Sequence, residues 1–186
     1  MKETPLVSIG IASYNNATYI GQTLDSIKNQ SYPNIELIIV DDSSTDNSKE
    51  TITNWLSANN YPANFIVNTE NVGLSRVSNI ILNNSNGKYY QILGSDDFLD
   101  LNKISKQLEL LEKDPDTSAL IYSDALVIDS NDEIHSNSIW KYFNNYTNPM
   151  PEGYIFKQIL SANFIPALSV LVRTEYAKAV EDTMKH

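Results

Sequence analysis

The chain has 186 residues, enough for one domain with its own core, and no cysteine, which excludes a disulfide scaffold or a thiolate metal site. Its formal net charge is −10 and only Arg76 and Arg173 are arginines, so nucleic acid and anionic membrane, which need clustered cations, are excluded as main partners. No apolar run approaches the roughly 18 residues of a membrane span, and the opening Met1-Lys2-Glu3-Thr4-Pro5 is no signal peptide; the expectation is a cytoplasmic globular domain.

Leu6-Val7-Ser8-Ile9-Gly10-Ile11 reads as a buried strand. A helix follows over 19–30, with Ile20, Leu24 and Ile27 at helical spacing, and Tyr32-Pro33-Asn34 stops it. Residues 35–40 form a second strand, the most apolar stretch of the protein. Asp46 then caps a helix that carries Ile52, Trp55 and Leu56 on one face, Trp55 being read as core. Phe65-Ile66-Val67 is a third strand, 74–82 a helix through Val77, Ile80 and Ile81, and 89–93 a fourth strand entered through the turn Asn86-Gly87.

Strands without alternation, separated by helices, imply an α/β fold with a mostly parallel central sheet and helices on both faces. After Asp97 the rhythm changes. A helix spans 103–113, strands are expected at 119–122 and 125–128 around a turn at Asn131-Asp132, a helix at 154–161 and a strand at 168–172. Residues 136–151 are aromatic, Asn-rich and unassigned. With no repeat and no linker, a single domain over 1–186 is expected.

In an open α/β sheet, ligands bind beyond the carboxyl ends of the strands. Three polar clusters stand there: Ser13-Tyr14-Asn15-Asn16, Asp41-Asp42-Ser43-Ser44-Thr45-Asp46 and Gly94-Ser95-Asp96-Asp97. Each alone is an ordinary turn with a helix cap. Two acidic pairs at strand ends of one sheet are more than that, because adjacent carboxylates repel and their desolvation costs further. A hard divalent cation with oxygen ligands relieves both penalties. The chain has no Arg cluster and no glycine-rich phosphate loop, so a diphosphate has to arrive with its metal, and Tyr14 is free to pack on a base.

These clusters resemble the nucleotide-binding half of the inverting family-2 glycosyltransferases. The likeness runs from Val7-Ser8-Ile9 and Ser13-Tyr14-Asn15 through Ser26-Ile27-Lys28-Asn29-Gln30-Ser31-Tyr32-Pro33-Asn34 and Val40-Asp41-Asp42-Ser43. It continues in Asn71-Val72-Gly73, Asn86-Gly87-Lys88-Tyr89 and Ser95-Asp96-Asp97. It implies a Rossmann-like glycosyltransferase-A fold, a UDP-sugar donor, manganese or magnesium, and inverting transfer to a saccharide or lipid-linked saccharide, in bacterial surface polysaccharide synthesis at the inner face of the membrane. Residues 5–113 would be the nucleotide-sugar-binding half and 114–186 the start of an acceptor-binding half; an oligomer is compatible with this.

Carried onto this chain, the resemblance places Ala12, Ser13 and Tyr14 at the nucleotide, with Tyr14 flanking uracil. It gives Asp42 the uracil ring nitrogen with Asp41 beside it, Asp96 the ribose, and Asp97 the metal. Three departures stand out. Gly94 replaces a frequent Asp, Val77-Ser78-Asn79 replaces Ala-Arg-Asn with Arg76 as a substitute cation, and Ala12 stands where Pro or Thr is usual. The family's carboxylate base would lie past residue 186; Glu181-Asp182 has the composition but reads as a solvated helix face, with Asp182 the candidate of the pair. Two other readings remain: a binding-only module without a base, and a receiver-like signalling domain, which would need an Asp where Asn68-Thr69-Glu70 stands. Trp140, Tyr142, Phe143 and Tyr146 suit an acceptor platform or packing equally, and His135 and His186 are surface residues.

Overall fold

Short β-branched runs alternate with helices over the first half of the chain, and the register between them decides where everything else falls. The computed structural model describes residues 4–114, 118–143, 150–161 and 163–184. In chain order the alternating part is β1 (Val7–Ser13), α1 (Ile20–Lys28), β2 (Ile35–Asp41), α2 (Ser48–Asn59), β3 (Asn64–Val67), α3 (Leu74–Asn83) and β4 (Tyr89–Gly94). Then come α4 (Lys103–Leu111), β5 (Leu120–Ile121), β6 (Val127–Ile128), β7 (Ile134–Ser136), α5 (Ile139–Phe143), α6 (Phe156–Ser161), a 3-10 turn (Ala167–Ser169), β8 (Leu171–Arg173) and α7 (Thr174–Met184).

The central sheet is six-stranded, in the order β3-β2-β1-β4-β8-β5. Its first four strands are parallel. Val7 lies opposite both Ile35 and Tyr89, and the ladders run on to Ser13 beside Asp41, Ala12 beside Gly94 and Asp41 beside Val67. The carboxyl ends of four strands therefore finish in one row, and the strand order reverses between β1 and β4. Beyond β4 the sheet continues with β8 and β5, both antiparallel to their neighbours.

Alternation along the strands feeds two cores. Ile9, Ile11, Leu37 and Ile39 meet Leu24 and Ile27 of α1, Ile52 of α2, and Ile104 and Leu108 of α4. Ile38 and Val40 face the other way and pack on Val77 and Ile81 of α3. Each such fully buried side chain contributes about 2 kcal/mol. Helices thus cover both faces, as the unbroken apolar strands require.

Where the structure departs from the sequence expectation, the reasons are local. β1 continues to Ser13 because its last residues still pair with β2. The segment expected as two strands over 119–128 shrinks to β5 on the main sheet and β6 in a separate hairpin with β7, turned at Asp132 with φ 64°. The strand expected at 168–172 begins as the 3-10 turn, with only Leu171–Arg173 paired. Trp55 is not core. It is half-buried, donates from Nε1 to Asp25 at 2.8 Å and leans on Tyr61 with ring centroids 5.7 Å apart.

Candidate functional site

The loops that leave β1, β2 and β4 are tied to one another before any ligand is considered. Asn15 adopts a left-handed conformation, φ 52°, which turns its amide into the neighbouring loop. There its Oδ1 accepts from the N–H of Thr45 at 2.8 Å while its own N–H donates to Ser44 Oγ at 2.9 Å. The N-cap position of α2 is Asn47, one residue after the Asp46 expected there; Asp46 Oδ1 still accepts from Ser48 N, the first helical N–H, and its Oδ2 accepts from Ala17 N. Asn16 reaches the third loop, donating to Ser95 Oγ at 2.7 Å. The carboxyl edge of the sheet is therefore a pre-organised rim, with Tyr14 left outside it, half-exposed.

The two acidic pairs behave differently. Asp41 is fully buried, and its carboxylate accepts from Ser44 N at 2.9 Å, Ser44 Oγ at 2.6 Å and Ser13 Oγ at 3.4 Å. Asp42 is buried too but turns toward the β3–α3 loop. It accepts from Asn68 Nδ2 at 2.7 Å, Val72 N at 3.0 Å and Gly73 N at 2.8 Å. Burial alone would raise its pKa, yet the bonds from Val72, Asn68 and Gly73 prevail and hold it below the usual carboxylate range. Mutual repulsion in this pair is answered by N–H and O–H donors, not by a cation. Val72 N also reaches Oδ2, at 3.2 Å, so the three donors occupy all four acceptor positions of Asp42.

Among the described residues Asp96 and Asp97 gather no comparable set of donors. Asp96 is exposed and Asp97 half-buried; burial first, then the Asp96 charge, push the Asp97 carboxyl up, against one backbone bond involving Gly94. A Cβ placed on Gly94 would come within 2.9 Å of both Asp96 Oδ1 and Asp97 Oδ2. Two carboxylate oxygens thus converge on one spot at the end of β4, and they can do so only because residue 94 has no side chain. This is a fitting half-shell for a hard cation. Among the described residues no group of three or more His, Cys, Asp or Glu could hold a metal, so a cation at this spot would need further oxygens from outside the chain.

Ala12, half-buried at the end of β1, pairs with Gly94, and Arg76 stands exposed on the first turn of α3, three residues after Gly73. The structure thus brings Ala12, Ser13, Asp41, Asp96 and Asp97 to one edge, with Asp42 on its β3 side. Asp182 lies on α7 with its side chain outside the described residues, as are Tyr146 and His186. Trp140 is anchored by Nε1 to the carbonyl of Phe164 at 2.7 Å and sits edge-on to Tyr122, which is packing; Tyr142 and Phe143 are exposed.

A cleft of about 310 Å³ is lined by Asp96 and Asp97 together with Ser123, Asp124 and Leu126. Lys103 lines it as well, with burial bringing its ammonium down to about 7. Reading the sequence missed Lys103 and Asp124. The signal was there for Lys103: it stands one helical turn from Gln107, both flanking the apolar stripe of Ile104, Leu108 and Leu111, and Gln107 is buried.

A parallel sheet that reverses order between β1 and β4, with an acidic half-shell at that reversal, defines a glycosyltransferase-A type of α/β protein. The chain belongs to glycosyl transferase family 2, whose model matches residues 8–171. An uncharacterized glycosyltransferase of Haemophilus influenzae is 42% identical over 107 residues, covering 58% of this chain and 42% of that protein. The putative teichuronic acid biosynthesis glycosyltransferase TuaG of Bacillus subtilis is 36% identical over 107 residues, covering 58% of this chain and 42% of its own. Among solved structures, Staphylococcus aureus TarS 1–349 in complex with UDP-GlcNAc superposes with a TM-score of 0.71 at 19% identity, over 95% of this chain and 47% of that one. The mannosyltransferase PcManGT of Pyrobaculum calidifontis, in complex with GDP-Man and Mn2+, gives 0.69 at 18%, over 96% and 47%. These structures share the fold. The chain spans about half the length of the relatives it matches, and no helix among the described residues is long and apolar enough to cross a membrane.

Proposed function

We propose that this chain forms the donor-binding part of a glycosyltransferase that uses a nucleotide-sugar, with UDP as nucleotide, and transfers the sugar with inversion to a saccharide or lipid-linked saccharide in bacterial surface polysaccharide synthesis. Residues 5–113 form the nucleotide-sugar half, and residues from 114 begin the acceptor half. The convergence of Asp96 Oδ1 and Asp97 Oδ2 over Gly94 carries this reading. A teichuronic acid relative and neighbours bound to UDP-GlcNAc or to GDP-Man with Mn2+ support it.

Tyr14, half-exposed beside the rim, offers its ring face to the base. Asp42 fixes the β3–α3 loop and accepts the ring N–H in place of its longest bond, the 3.2 Å one from Val72 N. Asp96 meets the ribose, and Arg76 reaches the diphosphate from α3. Asp97 would hold the manganese or magnesium ion, whose chemistry is charge neutralisation on the departing nucleoside diphosphate. The acceptor hydroxyl gives its proton to a carboxylate base.

Calorimetry with UDP in the presence and absence of manganese tests this. Metal-dependent binding is expected, and the Asp97→Ala variant should lose it. Equal binding with and without the metal, or retention in that variant, refutes the assignment of Asp97.

A further inference from the structure

Part of α1 is polar although it is buried. Thr23, 1% exposed, stands in the same helix as the buried Ile20, Leu24 and Ile27, where a valine of its shape would bring no polar atom to satisfy. A helical threonine hydroxyl commonly turns back to a carbonyl one turn earlier. That of Thr23 crosses instead to the β4–α4 loop and donates to the carbonyl of Ser95 at 3.0 Å. One turn on, Ser26 Oγ donates to the Thr23 carbonyl at 2.7 Å and accepts from Leu99 N at 3.1 Å. Just past the helix end, buried Gln30 donates through Nε2 to the carbonyls of Asp100 at 2.8 Å and Ser26 at 3.1 Å. Its Oε1 accepts from Ile104 N at 3.3 Å, and Ser31 N donates to the carbonyl of Leu101 at 2.9 Å.

These bonds grip the backbone of one segment, residues 95–104, which carries Asp96 and Asp97 near its start. The carbonyl of Ser95 belongs to the same planar peptide unit as Asp96 N, so the bond from Thr23 fixes the plane from which Asp96 departs. The Ser95 side chain is held separately by Asn16 Nδ2 at 2.7 Å, and Asp97 N closes the turn on the Gly94 carbonyl at 3.3 Å. Two carboxylates repel each other and turn apart where the backbone is free to let them. Here one oxygen of each stands 2.9 Å from where a Cβ on Gly94 would be. The bonds from Thr23 and Ser26 go to the backbone of the loop and not to either carboxylate.

We propose that Thr23 and Ser26, continued by Gln30, are positioning residues: they hold the β4–α4 loop so that Asp96 and Asp97 converge, and so set the affinity for a divalent cation that they do not touch. The role rests on the reading of that carboxylate pair given above.

Calorimetric titration of manganese into the chain, with UDP and without it, tests this, the Asp97→Ala chain serving as the blank. Thr23→Val keeps the shape and removes the hydroxyl. It and Ser26→Ala should each weaken manganese binding about tenfold, the scale on which residues behind a metal's ligands act. Thr23→Ser returns the hydroxyl and should bind the ion as the wild type does. Ile81→Val, in the core on the other face of the sheet, should lower the melting temperature and leave manganese binding unchanged. A Thr23→Val chain that binds manganese like the wild type overturns the proposal, as does a Thr23→Ser chain that loses as much as Thr23→Val. An equal loss in Ile81→Val overturns it too, because general loosening of the fold would then account for both. A wild-type chain that binds manganese but not UDP removes the nucleotide-sugar reading alone, and the metal titration still decides the role of Thr23 and Ser26. A wild-type chain that binds no manganese under either condition overturns both.

Discussion

Asp42 and Asp97 show how one residue type takes opposite roles at the carboxyl ends of two strands of one sheet, β2 and β4. Asp42 receives three N–H bonds and is held low, so its ionised form stabilises the fold. Removing it strands buried donors, and Asp42→Ala should cost on the order of 3 kcal/mol in urea denaturation at pH 7. Because the folded pKa is depressed, this contribution is present above the ordinary value of 3.8 and is lost as pH falls toward the folded value. The gap between wild type and Asp42→Ala should therefore narrow below about pH 4. Asp97 runs the other way. Its raised pKa means the folded state binds its proton more tightly than the unfolded state, so ionised Asp97 costs stability at neutral pH. Asp97→Asn should raise the melting temperature at pH 7 by about 2 °C while losing metal-dependent UDP binding, and that gain should vanish below pH 4. A variant that melts lower at pH 7 would mean the Asp97 carboxylate already has a compensating partner. Both acidic pairs were visible in the sequence as strained charge at strand ends. That donors from the β3–α3 loop satisfy Asp42 was not, because Asn68, Val72 and Gly73 are some 26 to 31 residues away along the chain.

At the level of elements, the contact between β1 and α3 decides how close the helix sits to the sheet. A Cβ on Gly10 would lie 2.0 Å from Ile81 Cγ2, so α3 packs directly on the backbone of β1. Gly10→Ala should destabilise the chain by about 2 kcal/mol through overpacking, and Ile81→Val in the same chain should recover nothing, since Val keeps the offending methyl. Ile81→Ala should recover part of the loss; additive losses in the double mutant would place the clash elsewhere. The elements of this half were legible because their apolar runs are long enough to show period: seven residues in β1 and β2, nine to twelve in α1 and α2. The second half was not, because β5 and β6 have two residues each, too few to show a period, and β5 is a strand only through β8, far along the chain. Asp124 stayed hidden because only the fold brings it to the cleft that Lys103 also lines.

For the molecule as a whole, the question is what joins the antiparallel edge to the parallel sheet. β8 touches β4 through only two register pairs, Tyr89 with Arg173 and Tyr90 with Val172. The Arg173 side chain, 3% exposed, strengthens that seam by donating to the carbonyl of Ser118 at 2.8 Å, the carbonyl of Leu111 at 3.0 Å and the hydroxyl of Tyr89 at 2.9 Å. Tyr89 in turn donates to Glu112, which also pairs with Lys88. One guanidinium thus ties β4, the end of α4, the entry to β5 and β8 into a single corner. Arg173→Leu removes the donor and leaves two carbonyls unsatisfied, so a loss on the order of 3 kcal/mol is expected. Its distribution is the sharper readout. Amide exchange should accelerate in β5, β8 and the last turn of α4 while β2 and β3, which pair with neither β4 nor β8, keep their protection, and β1, which meets the corner only where Val7 and Ser8 pair with Tyr89 and Tyr90, changes least beyond that end. Uniform acceleration across all six strands would mean that the sheet unfolds as one cooperative unit and that the seam at β4 is no weaker than the parallel ladders beside it.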